Sequence, residues 1–184
     1  MPDPTLAPQP PLTRASLPEC SWFVLHTKSR QEKILSQDLA SREIRSFVPL
    51  IEKAKYYGKR KRITEEPLFP GYVFLLGTLE QAYSADRTKR VANIIKVADQ
   101  DRIDWELINL QRAVQSRADL DPYPYLRKGV YVEIESGPFR GLQGMVEDRL
   151  QYDRLVLQVD ILGRAVSLEI HGALVRPIDA PGSR

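Results

Sequence analysis

The sequence predicts an α+β protein of two domains, a ferredoxin-like split βαβ unit followed by a small closed β-barrel. Three observations predict it. From residue 21 to 117, short β-branched and aromatic runs alternate with helical stretches in the order β-α-β-β-α-β, and a further helix follows. From 126 to 179 the apolar period drops to two, with turn residues between short runs. Between these blocks, ADLDPYPY at 118–125 carries two prolines that favour extended backbone, which reads as a linker.

Met1 to Pro18 holds six prolines and few large apolar side chains. Such a stretch buries too little to offset the entropy of ordering, so residues 1–20 read as a disordered tail. Ser21 to Thr27 (SWFVLHT) then reads as a strand, and Ser29-Arg-Gln-Glu32 has capping-box spacing that opens a helix with Ile34, Leu35 and Leu39 on its apolar face. Ser46 to Tyr57 and Arg62 to Leu76 read as two long strands around a turn at Gly58, a protruding hairpin with the basic tip Lys59-Arg60-Lys61-Arg62. Thr78 and Gln81 form a second capping box for a short helix to about Lys89, and Asn93 to Ala98 is a further strand. Ile103, Leu107, Leu110 and Val114 fall on one face of a last helix, behind a cap at Asp101. Beyond the linker, Val130, Val132 and Ile134 alternate, as do Leu155 to Ile161 and Val166 to Ile170. Turn signals stand at Gly137-Pro138, Gly141, Gly144, Tyr152-Asp153 and Gly163. A sheet of about 54 residues survives by closing on itself, which removes exposed edges.

Composition is that of an ordinary soluble domain, with 42% apolar and 28% charged residues. No apolar run approaches the roughly 18 residues that span a bilayer, and no signal-peptide pattern opens the chain. A cytoplasmic protein with no membrane partner is expected. One cysteine, Cys20, and two histidines, His26 and His171, supply no zinc ligand set, so neither metal nor cofactor is expected. Nucleophile elbow, phosphate loop and His-carboxylate constellation are all missing from the sequence, which argues against an enzyme. Charge is uneven: residues 21–117 carry 18 Lys/Arg against 12 Asp/Glu, while 126–179 carry 7 against 8. An acidic partner would meet the first half.

The residues quoted so far also carry a family resemblance. WFVLHTKSRQEKI, EEPLFPGYVFL, and KGVYVEIESGPFRGLQGMVED with ILGRAVSLEI resemble, in order, the N-terminal and KOW domains of NusG, over about Trp22 to Ile178. The resemblance implies a NusG-type N-terminal domain at 21–117 and an SH3-like KOW barrel at 126–179. It implies a transcription elongation regulator, acting as a monomer, that binds RNA polymerase at the clamp and suppresses pausing or termination. By resemblance, Trp22, Phe23, Phe69 and Tyr72 form an apolar patch for the β′ clamp helices, although aromatics in strands also commonly serve as core. Lys28, Arg30, Arg87, Lys89 and Arg90 match positions that face the β subunit and the non-template DNA, with plain solvation as the alternative. Solvation is also the reading for the hairpin tip. In the barrel, Phe139, Ile161, Leu162 and Arg164 match the region that meets a ribosomal small-subunit protein or Rho.

SRQE lacks the glycine usual there in the general factor, and VPLIEKAKYYGKRKRITEEPLFPGYVF resembles the specialised, RfaH-like paralogues. An operon-specific antiterminator is therefore expected, with housekeeping NusG as the alternative. The barrel half keeps its glycines and strict alternation, both costly in a helix, so it is expected to stay a barrel. An RNA-binding KOW protein of ribosomal type is a further alternative. The net negative barrel speaks against it.

Overall fold

The structure, a computed structural model, describes residues 11–58, 60–123, 129–146, 154–170 and 175–181. The first ten residues of the expected tail, the end of the linker, Lys59 and the Tyr152-Asp153 turn lie outside the described residues. In the first domain β1 (Ser21–Thr27) leads to α1 (Glu32–Ala40) and β2 (Arg45–Phe47). A hairpin of β3 (Leu50–Tyr57) and β4 (Arg60–Pro67) follows, then β5 (Tyr72–Gly77), α2 (Leu79–Asp86) and β6 (Val91–Lys96). α3 (Gln100–Gln115) closes the domain. The sheet order β2-β5-β1-β6, all antiparallel, is that of the ferredoxin-like split βαβ fold.

Alternation along β1 sorts the aromatics between the two faces. Phe23 and Leu25 pack with Leu35, Leu39, Ala82 and Ala85 of α1 and α2. Trp22 and Val24 go the other way, to Ile103, Leu107 and Leu110 of α3. The two long strands expected from sequence are each broken, at Val48-Pro49 and at Phe69-Pro70-Gly71, and Leu68 N–H donates to Pro49 C=O at 2.7 Å where the breaks meet. Proline removes ladder donors at both places, so β3 and β4 leave the sheet as a separate two-stranded ribbon.

Two helix starts differ from expectation. Ser29 does not cap α1, whose N-cap is Gln31 without a side-chain bond. Asp99, not Asp101, caps α3 by accepting from Arg102 N–H at 2.9 Å. The Thr78–Gln81 box forms in both directions.

The tail also differs, from Leu12 onward. Gln111 reads both backbone groups of Leu12, accepting at 2.7 Å and donating at 2.9 Å. Asp104 accepts from the Thr13 hydroxyl, the Arg14 N–H and the Trp22 indole N–H. Specific polar bonds from α3 therefore order a segment whose composition alone would leave it loose.

The second domain is one antiparallel barrel-like sheet in the order β12-β8-β9-β10-β11-β7. Its strands are β7 (Asp121–Tyr123), β8 (Val130–Ile134), β9 (Gln143–Val146), β10 (Arg154–Val159), β11 (Arg164–Glu169) and β12 (Val175–Pro177). β7 lies inside the expected linker and pairs with β11 from Ser167 to Ala165. Pro122 is tolerated because β7 is an edge strand. Gly144 is required by packing: a Cβ there would stand 2.7 Å from the Val156 carbonyl and 2.9 Å from Leu155.

Candidate functional site

The Phe69–Tyr72 turn is held by bonds from two elements, α1 and β1. Gly71, at φ +88°, donates its N–H to the buried Glu32 carboxylate at 2.6 Å, and its carbonyl accepts from Thr27 N–H at 2.8 Å. This φ favours glycine. The turn sends its two aromatics to different fates. Phe69 is 2% exposed and joins the core, whereas Tyr72 is half-buried at the surface, stacked on His26 with centroids 5.2 Å apart. The Arg164 guanidinium of the barrel lies over the Tyr72 ring, 5.4 Å from its centroid. Such a contact is worth about 0.5–1 kcal/mol near solvent. Trp22 is 0% exposed, and Phe23, at 7%, lies on the opposite face of the sheet. The four aromatics do not make one exposed patch. Tyr72 alone remains at the surface, and His26, to which sequence assigned no role, stands beside it.

Helix α3 meets the barrel through a polar seam. Arg102 pairs with Glu106 at 3.2 Å and with Asp160, and donates to the Tyr131 hydroxyl at 2.9 Å. Asp160 N–H donates to Glu106 at 3.2 Å. Further along, the Trp105 indole donates to Gln143 at 2.7 Å and Asn109 accepts from Gln143 N–H at 2.8 Å. Burial, and next the nearby Asp160 charge, push the Glu106 carboxyl up to about 8, with Arg102 and the Asp160 N–H pulling the other way. Apolar contacts continue the seam, because one buried cluster includes Trp22, Phe69, Leu107, Val132, Leu155 and Leu168.

This contact gathers most of the barrel residues singled out from sequence. Ile161 shares a depression with Val97, Ile103 and Glu106, and Leu162 packs on the shared apolar cluster. Arg164 holds Tyr72. Phe139 also packs on that apolar cluster, half-buried beside a small depression with Asp119, Arg154 and Leu168. The seam was illegible in the sequence, since Arg102, Trp105, Glu106, Tyr131 and Asp160 carry no motif.

The basic residues separate into two kinds. Arg90 is a strut: its Nε bonds Asp38 and its Nη1 bonds Gln31, both at 2.7 Å, and its carbonyl accepts from Lys28 N–H at 2.8 Å. Lys28, Arg30, Arg87 and Lys89 stand at the same end of the sheet and are all exposed. Among the described residues no group of His, Cys, Asp and Glu could hold a metal ion, and no helix is long and apolar enough to cross a membrane.

A family model described as transcription termination factor nusG matches residues 20–108. The chain is 28% identical over 176 residues to the transcription termination/antitermination protein NusG of Pseudomonas aeruginosa, covering 85% of this chain and 98% of that one. It is 30% identical over 133 residues to the corresponding protein of Escherichia coli O6:H1, covering 67% and 72%. A solved structure of Thermotoga maritima NusG, described by its domain interaction, matches with a TM-score of 0.45 at 22% identity over 87% of this chain and 98% of that one.

Proposed function

This chain belongs to the NusG family, and we propose that it regulates transcript elongation by docking its first domain on RNA polymerase while its barrel recruits a second partner. The observation that carries this reading is the surface around Tyr72. An aromatic ring contacted by His26 and by an arginine from another domain is a preformed anchor. Arg164 covers it through a cation–π contact near solvent, which a stronger ligand can replace. The proposed ligand is the pair of β′ clamp helices, with the β subunit and non-template DNA alongside Lys28, Arg30, Arg87 and Lys89. A ribosomal small-subunit protein or Rho is the proposed ligand of Phe139, Ile161, Leu162 and Arg164. The test is affinity for purified clamp helices. Tyr72→Ala should weaken it by roughly thirtyfold, the value of an aromatic hot spot near 2 kcal/mol. Phe69→Ala is the poorer probe because that ring is core. Undiminished binding by folded Tyr72→Ala would remove the assignment.

We further propose an operon-specific role, on the ground that Ser29-Arg-Gln-Glu32 lacks the glycine of the general factor and that the segment from Val48 to Phe74 resembles the specialised paralogues. Deleting the gene should then change transcript levels beyond the early region of one or a few operons. Genome-wide readthrough at termination sites would instead support the housekeeping alternative.

A further inference from the structure

The β3–β4 ribbon has two unlike faces, and pairing register defines them. Directly opposed residues of an antiparallel pair share a face, and alternate residues along a strand do too. Lys53 opposes Thr64, Lys55 opposes Arg62 and Tyr57 opposes Arg60. One face therefore collects Lys53, Lys55, Arg60 and Arg62, with Glu66 as the lone acid. The reverse face has Glu52 opposite Glu65, Ala54 opposite Ile63 and Tyr56 opposite Lys61. Net charge is +3 on the first face and −1 on the second. Lys53, Lys55, Arg60 and Arg62 are all exposed.

This arrangement works against the ribbon's own stability. An isolated two-stranded sheet is marginal, and like charges directly opposite each other weaken it further, as Lys55 and Arg62 do. Glu66 relieves part of the repulsion through its ion pair with Lys55. The cationic face also does not stop at the ribbon. Lys53, Lys55 and Glu66 line a half-open cavity of about 980 Å³ together with Arg30 and Lys33 of the first domain and Arg164 of the barrel. Cations thus continue from the ribbon to the start of α1.

We propose that this face is a binding track for the phosphate backbone of duplex nucleic acid, running along the ribbon into the groove beside α1. A polyanion relieves the Lys55–Arg62 repulsion and releases its own counterions, which makes binding sequence-independent and steeply dependent on salt. Duplex is favoured over single strand because it presents the denser line of phosphates, about one charge per 1.7 Å of helix axis, to a row of cations. The ribbon cations themselves lie apart from the Tyr72 surface and from Arg87 and Lys89, and the track abuts both where it reaches Arg164 and Arg30. It does not depend on polymerase docking.

The experiment measures anisotropy of a labelled random-sequence duplex with the full chain across a salt series. The variant K53Q/K55Q/R60Q/R62Q should lower the slope of log affinity against log salt by about 0.9 for each phosphate that the protein ceases to neutralise. Its thermal midpoint should stay level or rise, since repulsion is removed. The charge-preserving variant K53R/K55R/R60K/R62K should keep the parent slope, and Y56S/I63T on the reverse face should too. An unchanged slope in the glutamine variant, an equal loss in Y56S/I63T, or tighter binding to single strand than to duplex would each overturn the proposal. Clamp-helix affinity, measured on the same glutamine variant, should be retained, which keeps this test independent of the Tyr72 assignment.

Discussion

Glu32 follows Ser29 at capping-box spacing, yet its carboxylate serves Gly71, 39 residues away. The local pattern is right about the residue type and wrong about the partner, because the half-buried Gly71 N–H in a tight turn competes for the same acceptor. Glu32→Ala should leave that N–H unpaired at a cost of about 1–3 kcal/mol, whereas Glu32→Gln keeps an acceptor and should cost less. Thermal unfolding separates the two, and equal losses would show that the bond to Gly71 is not what Glu32 contributes. The same competition explains the aromatics. Alternation assigns Trp22 and Phe23 to opposite faces but does not say which face is covered, and here α1 and α2 cover one while α3 covers the other. Tyr72 stays at the surface because it follows Gly71, where the chain turns back into the sheet.

At the scale of elements, the alternation of strands and helices in the first domain was legible, and so were β8, β10 and β11 in the second, because period two and period 3.6 are local properties of the chain. The Thr78–Gln81 box shows the same legibility. Thr78→Ala should cost about 1 kcal/mol, and a Thr78→Ser variant should restore most of it. A chemical denaturation midpoint reads the difference, and an unchanged midpoint in Thr78→Ala would mean the cap bonds contribute nothing net. Long-range pairings were not legible. Nothing in ADLDPYPY announces that Asp121–Tyr123 will pair with β11, since an edge strand of three residues needs only a free neighbour. Nor does LTRAS announce the strap on α3, which depends on Gln111 and Asp104 some ninety residues later. The break at Pro70-Gly71 could have been read. Proline and glycine together argue against one continuous strand, and that reading separates the ribbon from the sheet.

Across the whole molecule, the two domains read as separable from sequence, but they are docked, and the docking surface includes a carboxyl that titrates in a useful range. Glu106 is held near 8 first by burial and then by Asp160, and both causes disappear when the barrel leaves α3. Arg102, Asp160 and Tyr131 are the charged and polar partners facing it across the seam. The docked form therefore holds a proton that the undocked form releases at the ordinary carboxyl value of 4.5. The sign follows: the contribution of Glu106 to docking is full below about 4.5, weakens as pH rises, and is lost once pH passes about 8. Each pH unit separating the docked and undocked values corresponds to about tenfold in the docking equilibrium. Interdomain distance measured with paired spin labels should lengthen in a larger fraction of molecules at high pH than at low pH. Glu106→Gln keeps an acceptor for Asp160 N–H and has no charge to lose, so it should stay docked across the range and bind clamp helices more weakly than the parent at high pH. A parent whose distance distribution does not move between the two pH limits, or a glutamine variant that tracks the parent, would show that the seam opens for some reason other than this carboxyl.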